Sequence, residues 1–91
     1  MSDQELWDRA MRLLQVKGIR RRARADEAKL IAEMSYDFHP AVRYQMERDL
    51  KVYPLFDAVA MWVQPKVGLA EHEPQIIPIA KILIEQAEKE A

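Results

Sequence analysis

The residues of this chain that could do chemistry are few, and they fall into no catalytic or metal-binding pattern. The chain has two histidines and no cysteine, which removes thiolate ligands and a cysteine nucleophile. His39 stands directly before Pro40, where we expect a helix cap or a turn residue rather than a base. His72 lies between two glutamates, but three adjacent side chains rarely point at one metal ion. We therefore predict no catalytic residue, no cofactor site and no metal site.

Serine nucleophiles and phosphate-binding loops are not indicated by the sequence either. Ser2 and Ser35 are the only serines, there is no threonine, and neither serine has a context typical of a nucleophile. Two glycines in 91 residues are too few for a loop that wraps a phosphate group. The fifteen Asp and Glu residues include no pair that stands out from a charged surface. We predict that the chain is not an enzyme.

A basic segment is the clearest charge feature. The net charge is −1, yet residues 9–51 hold eleven Lys or Arg against six Asp or Glu, and residues 52–91 hold three against six. The basic residues are densest at Lys17, Arg20, Arg21, Arg22 and Arg24. Such a cluster can neutralise phosphates, contact an acidic partner or form a solvated helix face. The acidic C-terminal half could likewise meet the basic half of a second copy.

Residues 31–46 resemble the helix-turn-helix segment of winged-helix regulators. In that family a Leu-Ala-Glu-like opening lies ten residues before a Val-Arg pair, with an apolar residue four further on. Here Ala32 stands ten residues before the pair Val42 and Arg43, and Met46 supplies the apolar residue. The resemblance implies nucleic-acid binding by a basic segment and by the helix that follows the turn. The implied contacts are Lys17, Arg20, Arg21, Arg22, Arg24, Arg43, Tyr44 and Arg48.

The elements that must position these residues are predicted to be helices. Apolar residues recur at helical spacing along most of the chain. His39-Pro40 and Tyr53-Pro54 each favour a helix start, because proline is tolerated at the first helical position and disfavours helix in the residue before it. The predicted helices cover residues 3–17, 20–35, 40–52, 54–64 and 74–90. In the last of them Pro78 would fall in or just past the first turn, where few amides need a partner.

The last predicted helix is more apolar than a surface helix needs to be. Seven apolar residues between positions 76 and 84 cover more than half of its circumference, whereas a surface helix requires only a stripe. It is therefore either the central helix of a small bundle or half of a subunit interface. The preceding helix adds Met and Trp side chains, which suit a docking surface. The predicted partner interface consists of Phe56, Met61, Trp62, Ile76, Ile79 and Leu83.

Length and composition predict one domain, residues 1–91, folded as a compact all-α bundle of about five short helices. With 49% apolar and 32% charged residues, the chain has an ordinary globular composition. No stretch is long and apolar enough to span a membrane, and the acidic start is unlike a secretory signal, so we expect a cytoplasmic protein. The predicted function is a non-enzymatic protein-interaction or self-associating module. The alternative is a small nucleic-acid-binding protein.

Overall fold

The structure, a computed structural model, describes residues 3–19 and 23–90. In these residues the helices are α1 (Asp3–Leu13), α2 (Ala25–Met34), α3 (Pro40–Val52), α4 (Leu55–Val63) and α5 (Ile76–Glu90), with one 3₁₀ turn at Leu69–Glu71 and no strand. The Cα radius of gyration is 11.9 Å, close to the value of about 12 Å for a compact chain of this length. The predicted all-α bundle of about five helices is confirmed.

Helices α4 and α5 form the centre, and the other helices pack around them. Helix α1 contacts both α4 and α5, α2 contacts α5, and α3 contacts α4. The buried side of α5 consists of Ile76, Ile79, Ala80, Leu83, Ile84 and Ala87. Because neighbours lie on several sides of α5, its wide apolar surface is used inside the fold. The isoleucine-rich helix is thus the central helix, one of the two alternatives that the sequence left open.

Proline and histidine set the start of α3. Pro40 is its first residue, and the Nδ1 atom of His39 accepts a hydrogen bond of 3.1 Å from the backbone N–H of Ala41. This bond satisfies one of the amides that a helix start leaves without an intrahelical partner. The predicted role of His39 as a helix cap is confirmed. At α4 the proline lies one position earlier: Pro54 is extended and precedes the helix, without a side-chain cap hydrogen bond, so α4 begins at Leu55 and not at Pro54 as predicted.

The first two helices are shorter than the sequence predicts. Helix α1 ends at Leu13, not near residue 17, and turns continue to Gly18, whose φ of +84° is a left-handed conformation suited to glycine. Helix α2 begins at Ala25, where the Glu27 carboxylate accepts a hydrogen bond of 3.0 Å from the backbone N–H of Arg24. Of the predicted start of this helix, residues 20–22 lie outside the described residues.

A close approach of the backbone fixes the connection between α4 and α5. A Cβ atom added to Gly68 would lie 2.8 Å from the carbonyl oxygen of Met61 and nearer still to that of Trp62. Only glycine avoids this clash, so the chain can turn tightly over the end of α4. Helix α5 then begins at Ile76, and Pro78 lies in its first turn, where its missing amide costs no intrahelical hydrogen bond.

One buried hydrogen-bond network joins α3 to α4. The indole N–H of Trp62, only 1% exposed, donates to Asp49 Oδ2 over 2.9 Å. The side-chain amide of Gln45 donates to Asp49 Oδ1 over 2.8 Å. Asp49 is itself 3% exposed, so its carboxylate depends on these donors in place of water.

An ion pair joins the outer ends of α1 and α5. The Arg9 guanidinium donates through Nε and Nη2 to the two carboxylate oxygens of Glu88, the paired geometry that arginine and carboxylate favour. The hydrogen bond between the two side chains is the main cause that holds the pKa of Glu88 below its ordinary value. The same bond raises the pKa of Arg9.

Candidate functional site

The structure corrects the predicted partner interface. Five of its six residues are at most 1% exposed, namely Phe56, Trp62, Ile76, Ile79 and Leu83. These side chains fill the core between α1, α4 and α5, so they are not available to a partner of the folded chain. Met61 alone, at 40% exposure, lies on the surface.

Met61 borders an open depression between α1 and α4. Its cavity volume is about 400 Å³. The lining residues are Trp7, Met11, Leu14, Tyr53, Asp57, Ala60, Met61 and Gln64. Trp7, Met11 and Leu14 are half-buried and also pack against the core, so part of their apolar surface is already used inside the fold.

A second cavity separates α2 from α3. It arises because α2 lies on α5 while α3 lies on α4, which leaves a cleft between two adjacent helices. The cleft has a volume of about 380 Å³. Its lining residues are Ala23, Ala28, Ile31, Ala32, Ser35, Arg43, Met46, Glu47, Leu50 and Lys51. We call it the α2–α3 cleft.

Small side chains on α2 keep the cleft open. Ala28 and Ala32 are one helical turn apart, line the cleft and remain exposed. Opposite them on α3 are Met46, which is 1% exposed, and the half-buried Leu50. Since an alanine methyl group is short, the two helices do not interdigitate here as close-packed helices do. The accessible apolar surface of the cleft is therefore that of Ala28, Ala32 and part of Leu50. It lies over the buried side chains of Ile31 and Met46.

The polar groups of the cleft are of two kinds. Inside it, the Ser35 hydroxyl donates a hydrogen bond of 2.6 Å to the carbonyl oxygen of Ile31, so its proton is already used within α2. At the rim are the exposed side chains of Arg43, Glu47 and Lys51, spaced one turn apart along one side of α3. The charged groups of the cleft therefore lie at its rim and not at its floor.

A second depression lies on the outer side of α3, beyond the charged rim of the cleft. Tyr44 and Val52 are 66% and 62% exposed. They border this depression of about 180 Å³, whose other lining residues are Glu47, Arg48 and Lys51. The cleft and this depression share Glu47 and Lys51, so they form one continuous surface. We call the two together the α3 surface.

The residues predicted to contact nucleic acid do not all meet. Arg43, Tyr44 and Arg48 lie together, exposed, on α3. Lys17 is exposed too, but it lies by a different cavity, beside Pro54. Exposed Arg24 lies at the start of α2, with its Nη1 atom 3.7 Å from the Glu90 carboxylate of α5. Arg20, Arg21 and Arg22 lie outside the described residues. Nucleic-acid binding stays a prediction.

The described residues contain neither a metal-binding cluster nor a membrane-spanning helix. Within residues 3–19 and 23–90, histidines and carboxylates nowhere gather in threes as they would around a metal ion. Nor does any helix in these ranges have the length and apolar character needed to cross a membrane.

The α2–α3 cleft includes residues that the sequence analysis did not single out as a site. Ala32 and Met46 entered the sequence analysis only through the helix-turn-helix spacing, and Ala28 did not enter it. The available signal was the spacing of Ala25, Ala28 and Ala32, which places three small side chains on one side of α2. The same alanine spacing also occurs where two helices pack in close contact. Only the positions of α2 and α3 in the structure therefore show that a cleft lies between them.

Comparison with known proteins identifies no similar protein. The chain matches no family model, no curated protein and no solved structure. The α3 surface, of which the cleft is the larger part, is consequently the candidate functional site.

Proposed function

We propose that this chain is a non-enzymatic protein-interaction module and that its partner docks in the α2–α3 cleft. The observation that carries the proposal is an accessible apolar cleft of about 380 Å³ between two helices. A groove with apolar walls between two helices is the kind of surface on which an amphipathic segment docks. The predicted interaction role is kept, but its place moves from α4 and α5 to α2 and α3.

The distribution of polar groups favours a protein partner over a small ligand. By volume alone the cleft falls at the lower end of the range of roughly 300–1,000 Å³ typical of small-molecule pockets. A small ligand, however, is held by polar groups that converge inside its pocket, and here the Ser35 hydroxyl is engaged with Ile31. The charged groups lie at the rim, and the exposed side chains of Tyr44 and Val52 lie beyond it. A macromolecule can cover both areas at once.

Two helices as walls suit a third helix as the ligand. An amphipathic helix that docks in a groove inserts apolar side chains spaced three or four residues apart. Ala28 and Ala32 leave room for such side chains, and the half-buried Leu50 on α3 presents apolar surface opposite them. We therefore expect recognition in which a partner helix completes the contact that α2 and α3 do not make with each other.

A peptide screen with a matched pair of variants tests this function. A phage-displayed library of random peptides is selected against the immobilised chain, and the selected peptides are then measured by fluorescence anisotropy. Ala32→Arg places a long charged side chain in the cleft from an exposed position, so the fold should survive. Ala41→Arg makes the same change at an exposed position of α3 that does not line the cleft.

We expect Ala32→Arg to lower peptide affinity at least about tenfold, since it fills the cleft and brings a charge against apolar surface. The Ala41→Arg variant should bind like the unchanged chain. Circular dichroism of both variants verifies that the helices are intact. Equal binding by the two variants would place the docking site elsewhere and refute the proposal.

A further inference from the structure

The charged side chains around the α3 surface are mostly positive. Among the described residues, exposed Arg43 and Lys51 line the cleft and exposed Arg48 lines the neighbouring depression, against one carboxylate, that of Glu47. The wall formed by α2 contributes alanines, Ile31 and Ser35, and no charged side chain. A partner helix in the cleft would therefore meet a net positive field along its α3 side.

The spacing of these charges sets a pattern for the partner. Arg43 and Lys51 are eight residues apart on α3, which corresponds to about 12 Å along the helix axis. Glu47 lies midway between them. A helix docked alongside α3 gains complementary contacts from carboxylates about two turns apart, with a neutral or basic residue between them.

We infer that the occupant of the cleft is an amphipathic helix of a partner protein, with acidic residues about two turns apart beside its apolar stripe. This inference rests on the proposed docking role of the cleft. The apolar floor would supply most of the affinity, whereas the rim charges set the orientation of the helix and discriminate against basic helices.

The described part of a second copy has no equally suitable helix to offer. Helix α5 is acidic towards its end, with Glu85, Glu88 and Glu90, but its apolar side is already buried in its own core. The other apolar area, beside Met61, is itself a depression and cannot enter a cleft. A nucleic acid would leave the apolar floor uncovered and bring phosphates close to Glu47.

Three synthetic peptides test the inference directly. Each has about 20 residues, long enough to form helix in solution, and all three share one leucine stripe. They differ only in the residues that flank the stripe, which are Glu in the first, Gln in the second and Lys in the third. Binding is followed by fluorescence anisotropy of labelled peptides at about 0.05 M and about 0.3 M salt, since surface charges are screened at the higher concentration.

We expect the acidic peptide to bind about tenfold more tightly than the basic one at low salt, as two or three exposed charge pairs would give. The difference should shrink at high salt. Glu47→Lys should strengthen binding of the acidic peptide a few-fold, and this gain cannot come from a damaged fold. Lys51→Glu should weaken it, and Lys29→Glu, an exposed change on α2 away from the cleft, should have little effect.

The outcomes separate this inference from the proposed function. If Ala32→Arg abolishes binding while the acidic and basic peptides bind equally, the cleft is the docking site and the acidic partner is wrong. If Ala32→Arg leaves the affinity for all three peptides unchanged, the docking site itself is wrong. Light scattering that shows a dimer of the chain, lost in Ala32→Arg, would identify a second copy as the occupant. Salt-sensitive binding of labelled DNA, lost in Arg48→Ala, would indicate a nucleic acid. Either of these last two results overturns the acidic helix.

Discussion

Replacement of Asp49 by alanine tests the buried network that holds α3 on α4. Asp49 Oδ2 accepts the indole N–H of Trp62, and Asp49 Oδ1 accepts the side-chain amide of Gln45. In Asp49→Ala the indole N–H loses its acceptor while the Trp62 ring stays 1% exposed. Gln45 is only half-buried, so its amide can turn to water.

The expected loss follows from these two donors. A buried donor left without a partner costs about 1–3 kcal/mol, and a hydrogen bond to a charged group is worth about 1.5–3 kcal/mol. These two figures describe the same loss and are not summed. Alanine returns up to about 0.5 kcal/mol at this position in the last turn of α3, because its helix propensity exceeds that of aspartate. We expect a net loss of about 2 kcal/mol, or a decrease of roughly 10 °C in Tm for a domain of this size.

Urea unfolding followed by circular dichroism measures the free energy of unfolding of both Asp49→Ala and a matched control. The control is Asp37→Ala, which removes an exposed aspartate from the turn between α2 and α3. A double-mutant cycle adds Trp62→Phe, which removes the indole donor but keeps a large ring. We expect a coupling of about 1–2 kcal/mol between the two positions, since they share one hydrogen bond. The reasoning is refuted if Asp49→Ala costs no more than Asp37→Ala, or if the two core changes are additive.

Three further predictions concern the ends and connections of the helices. Gly68→Ala should lower the free energy of unfolding by more than about 2 kcal/mol, since the added Cβ overlaps backbone atoms at the end of α4. Gly18→Ala, which adds the same atom in open space at φ +84°, should cost only about 1 kcal/mol in urea unfolding. His39→Ala should lower the free energy of unfolding by about 0.5–1 kcal/mol, because it removes the cap of α3, and His39→Asp should retain most of the capping contribution. Arg9 lowers the pKa of Glu88. The ion pair should therefore stabilise the fold at pH values above the ordinary glutamate pKa of 4.5. This stabilisation should disappear as the pH falls through the lower pKa that Glu88 has in the folded chain. In urea unfolding at pH 7, the free energy of unfolding of Glu88→Gln should therefore be lower than that of the unchanged chain, by under about 1 kcal/mol for so exposed a pair. The two free energies should converge at about pH 3.

The sequence predicted the number of helices and several of their ends, because these depend on local chemistry. Proline has no amide proton and a fixed φ, so Pro40 marks the first residue of α3 whatever surrounds it. The end of α1 was less predictable. Residues 14–17 contain good helix formers, yet α1 stops at Leu13, since intrinsic propensity is only a weak guide to where a helix ends.

The candidate site depended far more on tertiary structure. The sequence located the excess of apolar residues in α4 and α5, and it left open whether that excess is internal. The fold places Trp62 and Ile79 in the core because α1, α2 and α3 surround the two central helices. The candidate site is instead the α2–α3 cleft, whose lining includes Ala28, Ala32 and Met46. By itself the sequence determined which segments are helical, since capping, proline and apolar spacing act within a few residues. Only the packing of helices distant in the chain decided which apolar side chains face inward and where an opening is left.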